Sequence, residues 1–132
     1  MSRIFLVEDD EYLSRVYERA FRLAGHEYTQ AQDGEEALQM LRALEIQPDV
    51  IVMDIAMPKM DGAELLKNIR ADSQLKSVPV AVLTNSFHMQ DKDAFMELGA
   101  SLFLVKIDNQ PSEVVTKVES LVHSGEVEQD SV

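Results

Sequence analysis

The sequence has no cysteine and no tryptophan, only four prolines and five glycines, and half as many basic residues as acidic ones. Without cysteine, disulfides, thiolate metal sites and thiol catalysis are excluded, and the chain is compatible with a reducing compartment. So few prolines leave no Pro-rich linker, and no internal repeat is present. No apolar run approaches the ~18 residues of a membrane span, and the N-terminus lacks the basic, apolar and small-residue zones of a secretory leader. A soluble, cytoplasmic protein is expected. Twelve basic against 24 acidic residues give a formal charge of −12, which repels phosphate backbones and anionic lipid. Direct nucleic-acid or membrane binding is therefore not expected.

What is present suits one compact domain. The chain has 132 residues, 45% of them hydrophobic, enough to bury roughly two-thirds of the surface exposed on unfolding. Residues 3–7 read as a short buried strand. From Glu11, Leu13, Val16, Tyr17, Ala20, Phe21 and Ala24 follow helical spacing, and Gly25 stands where that helix ends. The pattern repeats with a short segment over 26–31, a turn at Asp33-Gly34 and a helix carrying Ala37, Leu38, Leu41 and Leu44. Residues 49–53 form a third strand. Residues 56–62 read as a loop, because Pro58 breaks pairing and Gly62 tolerates unusual backbone angles. A helix with Leu65, Leu66 and Ile69 follows, then strand 78–83, helix 90–98, strand 100–105 and helix 112–122. Apolar strands alternating with helices predict an α/β fold: a doubly wound, five-stranded parallel sheet between two helix layers. In such sheets, sites form beyond the carboxyl ends of the strands, where the strand order reverses.

Those ends are chemically conspicuous. Ile4-Phe5-Leu6-Val7 runs into Glu8-Asp9-Asp10, and Val50-Ile51-Val52-Met53 runs into Asp54. Converging carboxylates at about 5 Å and an effective dielectric of about 20 repel by roughly 3 kcal/mol per pair, so a cation is needed. Thr84 and Lys106 follow the fourth and fifth strands. Carboxylates open to solvent suit Mg²⁺, which keeps several waters and takes one or two protein carboxylates. A carboxylate beside a metal, a hydroxyl and a lysine can act as a nucleophile toward phosphorus. Each residue also has a plainer reading: Asp9 and Asp10 as helix caps, Asp54 as a turn residue, Thr84 as a hydroxyl satisfying local backbone, Lys106 as a surface lysine.

Over residues 3–122 the chain resembles a receiver domain of two-component response regulators. The matching motifs are Ile4 to Asp10, Asp49 to Gly62 (Asp-Val-Ile-Val-Met-Asp-Ile-Ala-Met-Pro-Lys-Met-Asp-Gly), Val82-Leu83-Thr84, and Gly99-Ala100 leading to Lys106. Thr84 and Lys106 stand 30 and 52 residues beyond Asp54, as in that family. The resemblance implies a flavodoxin-like (βα)5 sandwich. It implies that Asp54 is the phosphoacceptor, charged by a histidine kinase or a histidine phosphotransfer protein. It further implies Mg²⁺ held by Asp9, by Glu8 partly through water, by Asp54 and by the backbone carbonyl of Ala56. Thr84 becomes the switch hydroxyl, Lys106 the phosphoryl contact, and Phe103 the switch aromatic, which as a plain core aromatic has its own ordinary reading.

One departure stands out. The family usually has proline after the lysine, with a cis bond before it, whereas Ile107 follows Lys106; trans is then the default, because a cis bond before a non-proline residue costs ~2.5–4 kcal/mol. The loop after strand five is expected to differ accordingly. Ala56 and Ser86, which flank the path of hydrolytic water in the family, offer no carboxamide or acid, so slow self-dephosphorylation is expected. The domain is expected over 1–123, with an acidic flexible tail at 124–132 and no effector domain, so that a partner protein reads the phosphorylated state unless the chain is an excised fragment. A monomer or weak homodimer is expected, acting on nothing beyond its own phosphoryl group. The alternatives are a degenerate receiver that docks proteins without phosphorylation, and a small Mg²⁺-dependent aspartyl phosphatase, which would need an acid at position 56. A flavin carrier on this architecture would need a Ser/Thr/Gly phosphate cradle where Glu8-Asp9-Asp10 stands.

Overall fold

Alternate residues of each central strand face opposite ways, and both sets are buried. On one side Phe5, Val7, Ile51, Met53, Val80 and Val82 pack with Leu38, Leu41, Leu65, Leu66, Ile69 and Phe95. On the other, Ile4, Leu6, Val52, Ala81 and Leu83 pack with Tyr17, Phe21, Val114 and Val118. Burial of both faces explains why the strands read as unbroken apolar runs. The computed structural model describes residues 1–85 and 87–130, with 123–130 as backbone only.

The elements alternate as expected: β1 (Arg3–Val7), α1 (Glu11–Leu23), β2 (Glu27–Ala31), α2 (Gly34–Ala43), β3 (Val50–Met53), α3 (Gly62–Ala71), β4 (Val80–Thr84), α4 (Met89–Glu97), β5 (Leu102–Val105) and α5 (Pro111–Asp130), with a 3₁₀ turn at Lys106–Asp108. The five strands are all parallel, in the order β2-β1-β3-β4-β5. The order reverses at the β1–β3 pair. Val7 is in register with Met53, so the next residues, Glu8 and Asp54, emerge side by side. No described helix is long and apolar enough to cross a membrane.

Three helices start on an aspartate. Asp10, Asp33 and Asp61 accept the N–H groups of Leu13, Glu36 and Glu64, each satisfying a donor the helix leaves free. Asp33-Gly34 is therefore a cap and a first helical residue, not a turn. Helix α4 differs: His88 makes no side-chain cap bond, and Phe95 is the only buried residue of the helix. Its far end is held by Arg70, which donates to Gly99 O at 2.7 and 3.1 Å and to Val78 O at 2.8 Å.

Two further expectations need correction. Gly62 opens α3 and shows no left-handed backbone; that conformation falls on Lys59, at φ 67°. Glycine is required at 62 by crowding, since a Cβ there would lie 2.5 Å from the Asp54 carbonyl oxygen. The last helix continues to Asp130, beyond the 122 expected from its apolar positions and through most of the acidic segment 124–132. Residues 131–132 lie outside the described residues. Gly62→Ala should lower the unfolding free energy by about 1–3 kcal/mol, through displaced backbone beside Asp54. A lower urea midpoint at unchanged slope would show it.

Candidate functional site

The β1–β3 register delivers two carboxylates to one place, and both are buried: Glu8 is 2% exposed and Asp54 6%. The cation they need comes from the far edge of the sheet. Lys106 Nζ donates to Glu8 Oε1 at 2.6 Å and to Asp54 Oδ2 at 3.1 Å. The other Asp54 oxygen, Oδ1, accepts the Ile55 N–H at 2.7 Å, and Glu8 Oε2 accepts the Asp10 N–H at 3.3 Å. Every carboxylate oxygen of the buried pair thus has a donor, as burial of charge demands.

The peptide between Lys106 and Ile107 is trans, because the described chain contains no cis bond. The 3₁₀ turn that begins at Lys106 positions the ammonium without the family's proline, and it leaves Ile107 86% exposed. Asn109, which the sequence did not single out, closes that turn. Its N–H donates to Lys106 O at 3.3 Å, its Nδ2 donates to Val105 O at 2.9 Å, and its Oδ1 accepts from Lys117 Nζ. A polar residue two places before Pro111 looks like any loop asparagine in sequence; its burial is the signal, and only the fold reveals it.

Asp9 is exposed beside the buried pair, and one oxygen from each of Glu8, Asp9 and Asp54 lies within 4.8 Å of the others. Three hard oxygen donors, one of them facing solvent, fit a divalent cation of the Mg²⁺ or Mn²⁺ kind. Asp10 is set apart from them by its capping bond to Leu13. Ala56 is exposed in the loop after Asp54. Thr84 ends β4, buried and in register with Val105, so it neighbours the start of the Lys106 turn. Phe103 is half-buried on β5, 6.4 Å from Phe95 and 6.4 Å from Phe87 between ring centroids. Ser86 lies outside the described residues.

Burial of two carboxylates around one ammonium decides where a proton goes. Burial pushes the Glu8 carboxyl up to about 7, with the charge of Asp54 adding to it and Lys106 and the Asp10 N–H pulling against it. Burial pulls the Lys106 ammonium down, but Glu8 and Asp54 together outweigh it and leave it above its ordinary value. The cluster therefore keeps its lysine charged and takes up a proton on Glu8 near neutrality.

Comparison with known proteins matches residues 4–119 to the family model of the response regulator receiver domain. The chain belongs to that family. The receiver domain is similar to the transcriptional regulatory protein PrrA of Mycobacterium leprae, 39% identical over 120 residues that cover 91% of this chain and 49% of PrrA. It spans about half the length of the curated relatives it matches. Among solved structures it resembles the phosphorylated cyanobacterial phytochrome response regulator RcpA, with 33% identity, TM-score 0.83 and coverage of 94% of this chain and 95% of that one. It also resembles the Mn²⁺-bound form of response regulator Rcp1, with 32% identity, TM-score 0.80 and coverage of 91% and 93%. This kinship places the receiver domain in two-component signalling, in a family of signalling domains rather than enzymes. It gives no support to the docking-module or aspartyl-phosphatase alternatives.

The Glu8 proton makes cation binding pH-dependent. A cation needs the ionised carboxylates, so below about 7 it must displace a proton, and its affinity should rise with pH through that point and level off above it. In the metal-free protein the sign is opposite: the folded state binds this proton more tightly than the unfolded one, so stability falls as pH rises from the ordinary 4.5 towards 7. Calorimetric titration with Mg²⁺ across this range should show the rise, and Glu8→Gln should flatten it.

Proposed function

We propose that this receiver domain accepts a phosphoryl group on Asp54 from a histidine kinase or a histidine phosphotransfer protein and passes the signal on through an altered partner-binding face. The observation that carries this reading is the buried Asp54 carboxylate, 3.1 Å from Lys106 Nζ and part of a three-carboxylate group able to hold a cation. Glu8, Asp9, Asp54 and the carbonyl of Ala56 would hold Mg²⁺, and the Mn²⁺ in Rcp1 supports a divalent ion in this fold. When bound, the ion supplies positive charge against the oxygens of the incoming phosphoryl group.

The rest is done by side chains. A carboxylate oxygen of Asp54 forms a bond to phosphorus as the P–N bond to the donor imidazole breaks; the imidazole departs with the electron pair and is neutralised by a proton. Lys106 remains charged throughout, which keeps it available to the new phosphoryl oxygens. The Thr84 hydroxyl donates to one of those oxygens. About −1.5 to −2 of charge then replaces a single carboxylate, by analogy with other phosphorylated side chains. Movement of Thr84, with repacking of Phe103 against Phe87 and Phe95, shifts the population of conformations of the α4–β5–α5 face that an effector protein reads.

On this reading the chain catalyses only its own phosphoryl uptake and loss, works in the cytoplasm, and makes no direct contact with nucleic acid or membrane, in keeping with its charge of −12. Residues 1–123 are the receiver unit and 124–132 an acidic tail appended to it. The methyl side chain of Ala56 cannot orient a hydrolytic water, so the phosphoryl group is long-lived.

Incubation with Mg²⁺ and acetyl phosphate, followed by intact mass, should give one phosphoryl adduct on the wild type and none on Asp54→Asn. An equal adduct on the variant would overturn the assignment. The phosphorylated wild type should decay several-fold more slowly than phosphorylated Ala56→Asn; equal lifetimes would remove the hydrolysis argument while leaving the acceptor in place.

A further inference from the structure

The carbonyls of Val105 and Lys106 belong to the two peptide planes that flank the Lys106 Cα, and one residue takes both. Asn109 donates its N–H to Lys106 O at 3.3 Å and its Nδ2–H to Val105 O at 2.9 Å. Peptide planes are rigid, so tethering both planes fixes φ and ψ of Lys106 and with them the direction in which its side chain leaves the backbone. The amide that does this is held in turn. Its Oδ1 accepts from Nζ of Lys117, an exposed residue of α5, in a charge-assisted bond. Lys117 forms no ion pair among the described residues, so its charge acts on this amide. One partner of the side chain is a carbonyl and the other an ammonium, and only a carboxamide suits both, because an aspartate would turn an oxygen toward Val105 O. Asn109 is 7% exposed, so losing the bond leaves a buried carbonyl without its donor.

We propose that Asn109 is a positioning residue for Lys106, oriented by Lys117. A proline at 107 would restrict both its own backbone and that of the residue before it. Ile107 supplies no such restraint, and its exposed side chain packs against little. The restraint comes instead from hydrogen bonds made two positions later. Nζ stands at the end of a long, flexible side chain, so a small rotation at Cα moves it away from Glu8 and Asp54, which it now reaches at 2.6 and 3.1 Å. This role rests on the reading of Lys106 as the contact for the phosphoryl oxygens. It adds that a surface lysine of α5 is connected to the reactive centre through one amide.

Two measurements test it. In the metal-free protein the Lys106 ammonium, held by two buried carboxylates, should give a slowly exchanging proton–nitrogen NMR signal, identified by its absence in Lys106→Arg. The signal should be lost in Asn109→Ala and weakened in Lys117→Met. Phosphoryl uptake from acetyl phosphate with Mg²⁺ should slow about tenfold or more in Asn109→Ala and about threefold in Lys117→Met, since misplacing a group by about 1 Å costs up to roughly 100-fold. Asn109→Asp, nearly the same shape, should match Asn109→Ala, whereas a residue that only filled space would tolerate it. Ile107→Ala should leave both readouts at the wild-type level; a change there would put the restraint at 107 and overturn the proposal. Circular dichroism melts show which variants fold, and if Asn109→Ala does not, Lys117→Met carries the test. Overturning results are a wild type without the ammonium signal, an Asn109→Ala protein that keeps it whatever its uptake rate, and an Asn109→Asp protein that keeps both signal and rate. A wild type that takes up no phosphoryl group sinks the reading of Asp54 instead, and the ammonium signal still decides the role of Asn109.

Discussion

A single ammonium group, Lys106 Nζ, allows two carboxylates to be buried at the switch point of the sheet. Glu8 and Asp54 are set side by side by backbone pairing, and at such distances their repulsion is worth a few kcal/mol. The lysine reaches both, and its removal would leave an uncompensated buried charge, typically a loss of 3–5 kcal/mol. The turn that starts at Lys106, the asparagine that closes it and the strand register that aims it are all arranged around this contact. Stability and reactivity share the same atoms here. The lysine balances the acids at rest and is already in place for a more negative group.

The sequence revealed the demand for this contact before it revealed the geometry. Greasy strands ending in acids require a cation, and the spacing of Thr84 and Lys106 from Asp54 pointed to the site. Most strands and helices were legible because both sheet faces are buried and the apolar residues of the helices follow helical spacing, whereas the caps Asp33 and Asp61 read as turn and loop residues. Less visible were effects that arise only when distant segments touch. Gly62 looks like a flexible loop residue and is in fact a residue that must lack a Cβ, because the Asp54 carbonyl passes 2.5 Å from where one would be. Asn109 looks like an ordinary loop residue and proves to be buried. Ile107 suggested a rearranged loop, and the structure answers with a trans 3₁₀ turn that keeps the lysine in reach.

Helix α4 is built to a different standard from its neighbours. It has no side-chain cap and one buried residue, while Arg70 fastens the turn that follows it through hydrogen bonds to main-chain carbonyls. Local stability follows such anchoring, with few buried contacts at one end and several charge-assisted bonds at the other. The loosely held end is also the one nearest the strand ends where Thr84 and Asp54 sit. The ring of Phe103 lies against both Phe87, just before the helix, and Phe95, in its last turn.

Glu8 and Lys106 are 98 residues apart, with the acid near the start of the chain and the base near its end. In the order of synthesis, the carboxylates emerge first and their counter-charge last. A nascent chain that has made only the first four strands holds its acids without the group that lets them be buried, so water must continue to solvate them. The reactive centre is thus completed by the final strand of the sheet to be made, and a chain cut short before β5 has no means of assembling it.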